Sequence, residues 1–244
     1  MIGIFDSGIG GLTVFREVEQ LLPEENLIYF ADAARLPYGN KSPETVVHYT
    51  LKSAQFLLNQ GIKLLIIACH TASSQALKTL QETLPIPVLG MVKPSIDLLL
   101  SATKTKRVAV LGTKSTIHSG IYQNLIPSSI TLFMIACPLF VPLVEEQFFD
   151  HKATLLIANH YLRPLHDIDT ALLACTHYPL IQKTIQQVLG PSVTIINPAV
   201  ACAQLAKELL ENHSLLNTKR THNPQFYTTD RILINKEFQF VDID

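Results

Sequence analysis

Along the chain, apolar and polar positions alternate between two periods. Short apolar runs lie at residues 2–5, 27–30, 64–68 and 86–89. Between them, 12–22, 42–60 and 70–83 carry apolar residues at helical spacing. Short runs bounded by turn residues predict buried strands, and the longer stretches predict helices. Some boundaries carry their own signals: Pro23 stops the first helix, and Ser42 with Pro43 supplies a cap and a first-turn proline for the second, which closes at Gly61. The segment 33–41 reads as a loop. From Ser95 the pattern begins again, with a helix over 96–101, a strand over 107–111, a turn over 112–116, a helix over 117–125 and a strand over 131–135. A loop over 137–142 leads to Glu145 and Glu146, followed by a helix over 152–162, a strand over 171–174, a helix over 180–189 and a strand over 193–196. The tail predicts an amphipathic helix over 201–210, then 226–230 and a β-prone finish, and is expected to pack back onto the first half.

Strands alternating with helices of this length predict parallel sheets with helices on both faces. The two halves follow the same order at a nearly constant offset: Cys175 lies 106 residues after Cys69, and the same step carries Ile4 to Val110 and Ile28 to Met134. Identity between the halves is slight, so the correspondence is one of element order. The expected architecture is α/β, with two similar lobes, each a mostly parallel sheet flanked by helices, related by pseudo-two-fold symmetry with the active site between them. The first lobe would comprise residues 1–95 and 204–244, and the second 96–203.

Composition narrows the function. Of the 244 residues, 48% are hydrophobic and 16% charged, enough apolar material for a sizeable core. The net charge of −1 and the lack of a basic block argue against a nucleic-acid surface. No apolar run approaches the ~20 residues of a membrane helix. The start has no basic region and meets Asp6 early, unlike a signal peptide. Four cysteines (Cys69, Cys137, Cys175, Cys202) without such a signal suggest reduced thiols and a soluble, cytoplasmic protein.

Two of those cysteines stand out. Each half's third strand ends in Ala-Cys, in Ile66-Ile67-Ala68-Cys69-His70-Thr71-Ala72-Ser73 and in Leu172-Leu173-Ala174-Cys175-Thr176-His177-Tyr178-Pro179. The C-terminal ends of parallel strands are where open α/β sheets place ligands. Two thiols facing one cleft suit the inversion of a carbon acid, which needs a base on one face of the carbon and an acid on the other. Asp6, ending a neighbouring strand, is a candidate assistant to Cys69, and His177 to Cys175. Backbone N–H groups around 7–11 and 113–116, with the hydroxyls of Thr71 and Thr176, are candidates to hold carboxylates.

Other readings stay open on these residues. Cys137 and Cys202 have no paired context and read as small buried hydrophobes. Gly8-Ile9-Gly10-Gly11-Leu12-Thr13, with Asp32 ending the second strand, resembles a dinucleotide fingerprint, although Thr13 replaces its third glycine and Asp6 would repel a pyrophosphate. Cys69, His70, Cys175 and His177 are ligand types for zinc, although adjacent Cys and His rarely point the same way at a strand end. A non-catalytic amino-acid-binding protein would need the cleft but not two thiols.

Five motifs carry a more specific likeness. Phe5-Asp6-Ser7-Gly8-Ile9-Gly10-Gly11-Leu12-Thr13-Val14, Leu36-Pro37-Tyr38-Gly39, Lys41-Ser42-Pro43-Glu44-Thr45, Ala68-Cys69-His70-Thr71-Ala72-Ser73 and Cys175-Thr176-His177-Tyr178-Pro179 resemble the cofactor-independent aspartate/glutamate racemase family, and its glutamate racemases in particular. The resemblance runs from Ile2 to about Ala203. It implies interconversion of L- and D-glutamate, with no pyridoxal phosphate and no metal, supplying D-glutamate for peptidoglycan. Cys69 and Cys175 would be the two acid/bases, Asp6 and His177 their assistants, and Glu145, which matches the family's Val-Glu motif, a helper near the second thiol. Asp6, Ser7, Pro37, Tyr38, Gly39, His70, Thr71, Thr176 and His177 would hold the substrate, with Thr113 and Thr116 nearby. The implied partner is glutamate, not nucleic acid or membrane, and a homodimer is compatible with it. Two departures stand out: His70 replaces the family's Asn, and Lys93 a more usual acid or His. His70 opens two alternatives, a racemase for aspartate or another acidic amino acid, or a catalytically impaired binding homologue. The N-terminal extension associated with activation by a nucleotide-linked peptidoglycan precursor is not seen ahead of Phe5-Asp6, so no such activation is expected.

Overall fold

The apolar runs become strands because each is covered on both faces. The computed structural model describes residues 1–230 and 240–242. Strands β1 (Ile2–Asp6), β2 (Leu27–Ala31), β3 (Leu64–Ile67) and β4 (Val88–Gly90) are buried at every residue, as expected of parallel sheets shielded by helices. Strands β5 (Arg107–Gly112), β6 (Thr131–Ala136), β7 (Thr170–Ala174) and β8 (Thr194–Ile196) follow, and β9 (Gln225–Thr228) and β10 (Phe240–Asp242) lie in the tail. They form two parallel sheets, ordered β10-β9-β2-β1-β3-β4 and β6-β5-β7-β8. The core of the first order, β2-β1-β3-β4, is repeated by the second.

The helices are α1 (Leu12–Leu21), α2 (Pro43–Asn59), α3 (His70–Thr83), α4 (Val92–Ala102), α5 (Lys114–His118), α6 (Ile121–Leu125), α7 (Phe140–Glu145), α8 (Lys152–Leu162), α9 (Gln182–Leu189) and α10 (Ala199–Asn212). Alternate strand residues point to opposite faces. Thus Leu64 and Ile66 pack with α1 and α10, whereas Leu65, Ile67 and Cys69 pack with α2 and α3. In the second sheet, Ala171, Leu173 and Cys175 face α7, α8 and α9, and Leu172 and Ala174 face α4, α5 and α6.

Register carries the internal likeness further. Ile4 pairs with Ile66 and Val110 with Leu172, so the β1–β3 and β5–β7 ladders superpose at the 106-residue step. The neighbouring ladder slips by one residue: Ile4 pairs with Tyr29, but Val110 with Met134.

Local structure departs from the sequence pattern in several places. Residues 140–142, expected in a loop, open helix α7, with Pro142 near its start where its missing N–H costs little. Thr113 caps α5 by accepting the N–H of Thr116 at 3.2 Å, so the expected 112–116 turn is already a helix start. The expected 117–125 helix is broken at Gly120, whose φ of +72° suits a residue without Cβ. Strand β4 begins at Val88, because Pro87 has no N–H for the ladder. Helix α4 starts at Val92, ahead of the expected 96, and 180–189 divides into a 3-10 turn (Tyr178–Ile181) and α9.

The tail returns to the first sheet. Ala199, Cys202 and Ala203 of α10 already sit in its core, and β9 pairs in parallel with β2. Between them, Glu25 accepts the N–H of Asn217 at 2.7 Å and faces Lys63, and Asn26 accepts the N–H of Thr221 at 2.9 Å. Phe226 of β9 stacks at 5.0 Å from Phe15 and 6.2 Å from Tyr29. Of the β-prone finish, β10 pairs with β9, and the rest lies outside the described residues. Because Phe226 is only partly buried, Phe226→Ala is expected to lower stability by about 2–3 kcal/mol, below the range for a fully enclosed phenylalanine. Urea unfolding of the full chain measures it.

Candidate active site

Both sheets present the C-terminal ends of their central strands to the same seam. Cys69 follows β3 as the cap residue of α3, and Cys175 follows β7 at the matching position. Both sulfurs line one cavity with Ser7, Pro37, Tyr38, Gly39, His70, Thr71, Thr113, Thr176 and His177. All of these were expected at the site. Leu36 and Val141 join them unannounced. The enclosed space is about 20 Å³, room for little more than one water.

Each thiol has its own company. Cys69 Sγ lies 3.6 Å from Ser7 Oγ, its hydrogen-bond partner. Asp6 is fully buried at the end of β1. It accepts the N–H of Gly8 at 2.9 Å and, from the other half, the hydroxyl of Thr176 at 3.1 Å. Its direct bonds therefore brace the turn and the seam, and it acts on Cys69 through charge. Cys175 Sγ is 3.9 Å from His177 Nδ1, and His177 Nε2 is bound to Glu145 Oε1. Glu145 ends α7, the helix concealed in an expected loop.

Burial and charge set the protonation states. Burial raises the Asp6 carboxyl to about 6 against the opposing pull of His177 and its hydrogen bonds. Burial, and then the Asp6 charge, push the Cys69 thiol up to about 12. Burial disfavours the His177 imidazolium, but its bonds to Cys175 and Glu145 outweigh that and hold it at about 10. At neutral pH the seam thus holds a protonated thiol near a carboxyl on one side and an imidazolium beside the other sulfur.

Glycines make the seam tight. A Cβ on Gly10 would stand 2.6 Å from both His177 Nδ1 and Thr176 Oγ1, and one on Gly11 would stand 2.5 Å from Asp6 Cβ. The other half thus occupies the space that a dinucleotide pyrophosphate would need at this turn. Asp32 is equally committed, accepting from Tyr38 at 2.5 Å, Arg35 at 2.6 Å and Thr229 at 2.8 Å. Thr71 closes the seam from the first half, 2.8 Å from Thr113 Oγ1 and 3.2 Å from Thr116 Oγ1.

His70 is turned away from a metal set. Its Nε2 lies 3.4 Å from Ser95 Oγ, whose own proton goes to the Met91 carbonyl at 2.6 Å. Nε2 is therefore the donor, and Nδ1 is left bare and buried without a partner. Burial holds His70 down at about 3, so it is neutral. No group of three or more His, Cys, Asp or Glu residues is placed to hold a metal among the described residues. None of the described helices is long and apolar enough to cross a membrane.

Residues 2–206 match the Asp/Glu/hydantoin racemase family. The chain belongs to that family. A glutamate racemase from Geobacter metallireducens is 44% identical over 235 residues, covering 94% of this chain and 87% of the relative. The crystal structure of a glutamate racemase isoform from Bacillus anthracis matches with a TM-score of 0.91 at 36% identity, covering 95% of this chain and 89% of that one. A Francisella tularensis glutamate racemase, solved in complex with D-glutamate, matches with a TM-score of 0.89 at 38% identity, covering 95% and 89%.

Within this racemase, Asp32, Ser95, Leu36 and Val141 support or line the cavity without having been singled out as site residues. Asp32 had one legible signal, an acid at a strand end. Leu36 stood in the Leu36-Pro37-Tyr38-Gly39 motif, and Ser95 and Val141 had no signal, because their roles come from contacts across the fold. The His177–Glu145 pair has a pH signature. A folded-state value above the ordinary histidine value contributes stability that is complete below about pH 6.5 and is lost as pH rises through about 10. Glu145→Gln is therefore expected to cost about 1–3 kcal/mol at pH 6, with the gap to wild type closing above pH 10. The His177 ring titration, followed by NMR, should move down in the same variant.

Proposed function

We propose that this racemase interconverts L- and D-glutamate by proton transfer between Cys69 and Cys175, without a cofactor. The observation that carries the reading is that both sulfurs line one cavity, each delivered by the equivalent strand of its sheet. One sulfur, as thiolate, removes the α-proton from one face while the other, as thiol, protonates the opposite face. Return to the starting state requires the protons to be exchanged back.

The surroundings suit that exchange. Cys69, with its thiol raised to about 12, is held as the proton donor at neutral pH. For the reverse direction it must lose that proton, and the buried Asp6 carboxyl, poised at about 6, is the nearby group to receive it. His177, kept protonated against Cys175, is placed to return a proton to that sulfur and to offset negative charge on it. The α-proton of an amino acid is weakly acidic, so the carbanion-like transition state needs donors fixed in a dry cleft. Thr71, Thr113, Thr116 and Thr176 and the backbone of the Ser7–Gly8 turn are such donors. An amino acid does not fit in 20 Å³, so the halves part to admit it, and the Thr71–Thr113, Thr71–Thr116, Asp6–Thr176 and Gln75–Ser115 bonds are among those that open. A cytoplasmic role supplying D-glutamate for peptidoglycan follows from the same reading.

Incubation of either enantiomer in deuterated water, with no added cofactor, should give loss of optical activity and α-deuterium uptake. Absence of both, with glutamate and with aspartate, sinks the proposal. Cys69→Ser and Cys175→Ser should each lower racemisation about 10³-fold or more. Undiminished turnover by either variant removes the two-thiol mechanism. The dependence of kcat/KM on pH should show an acid limb near 6, where Asp6 gains its proton, and Asp6→Asn should abolish it.

One observation supports a second reading. The bare, neutral Nδ1 of His70 cannot donate to a carboxylate as an amide can, which favours altered substrate choice or weakened turnover. His70→Asn should then raise kcat/KM for glutamate, alone or together with that for aspartate; unchanged values for both remove that reading.

A further inference from the structure

Beside the closed cavity runs a second, open recess of about 490 Å³, straddling the seam between the two halves. Asn40 and Lys41 form its wall on the first half and Lys114 and His118 on the second. Across its base, Gln75 Nε2 donates to the carbonyl of Ser115 at 3.1 Å. Gly39 belongs to both this groove and the sulfur-lined cavity. A Cβ there would stand 2.5 Å from Thr113, the residue before Lys114. Groove and cavity therefore share a wall at Gly39.

The charge in the groove is one-sided. None of its lining residues is acidic. Elsewhere Lys63, Lys78, Lys93, Lys183 and Lys207 stand opposite carboxylates, whereas Lys52, Lys104, Lys106, Lys152 and Lys219 have no ion pair among the described residues. Lys41 and Lys114 have no such ion pair among the described residues. The nearest acid in sequence, Glu44, is not among the residues lining the groove. In a chain of net charge −1, two lysines from opposite halves thus face one recess at the edge of the site.

We propose that this groove is an anion vestibule, in which Lys41 and Lys114 hold a carboxylate of the incoming acidic amino acid at the seam before the cavity admits it. The proposal rests on the glutamate racemase reading and adds to it an entry site outside the catalytic cavity. Clefts of one sign raise local substrate concentration and capture rate by about 10- to 10³-fold at their strongest. Two solvent-facing lysines acting on a ligand of net charge −1 belong at or below the low end of that range.

The test uses the full chain as wild type, K41A/K114A and the charge-keeping K41R/K114R. Racemisation kinetics and calorimetric binding of D-glutamate are measured at about 20 mM and about 500 mM sodium chloride, which bracket strong and weak screening. At low salt K41A/K114A should bind about three- to tenfold more weakly, with a matching rise in KM and kcat within about twofold. At high salt the gap should close, and K41R/K114R should follow wild type throughout. Equal binding by wild type and K41A/K114A at low salt overturns the vestibule. So does a loss that persists undiminished at high salt, which marks packing of the 38–41 loop and not charge. Wild-type protein that binds glutamate but exchanges no α-deuterium overturns the racemase reading alone, because the binding comparison still decides the groove. No glutamate binding at either salt overturns both.

Discussion

A parallel strand delivers whatever follows it to one edge of its sheet, and both sheets here turn that edge toward the same seam. The rest of the site depends on this constraint. β1 and β3 pair in the same register as β5 and β7, so the residue after each Ala-Cys strand end reaches an equivalent place. The one-residue slip at β2 and β6 lies on the far side of each central strand and leaves the sulfur-bearing ladders untouched. Covering both faces of both sheets consumes the apolar residues and leaves the C-terminal edges as the place for polar groups. There they are buried between two halves and must be satisfied across the seam.

That burial is what gives the groups their character. Asp6, Cys69 and His177 are all removed from water, and burial acts on each in the direction of its neutral form. What differs is the compensation. Asp6 has hydrogen bonds that recover part of its carboxylate character, Cys69 has a carboxyl that reinforces the loss, and His177 has Glu145 and Cys175 that overturn it. Two thiols in matched positions are thereby made unlike. The two sulfurs thus have chemically different flanks, the Asp6 carboxyl on one side and the His177–Glu145 pair on the other.

The legible parts of this arrangement are those with a local cause. The strand runs, the Ser42–Pro43 helix start, the repeat of element order and the two Ala-Cys strand ends follow from periodicity and turn chemistry. The start of α7 was hidden because Pro138 and Pro142 read as loop residues, although Pro142 sits in a first turn that tolerates it. The division at Gly120 and the short 3-10 turn before α9 were missed because a broken helix keeps the apolar spacing of a whole one. Ser95 and Val141 gave no signal at all. Asp32 did, but the same acid at a strand end suits a ribose or a tyrosine, and only the fold shows Tyr38, Arg35 and Thr229 around it.

By itself the sequence determined the α/β class, the doubled element order and the two cysteines as the residues a function had to explain, because each rests on patterns within a few turns of chain. The tertiary structure decided which polar groups meet. It brought Thr176 to Asp6, Glu145 to His177 and Thr71 to Thr113, pairs separated by 170, 32 and 42 residues. It also turned His70 to Ser95 and set Lys41 across from Lys114. The reason is physical: such groups gain or lose protons according to what burial places beside them, and burial is a property of the assembled fold and not of any segment.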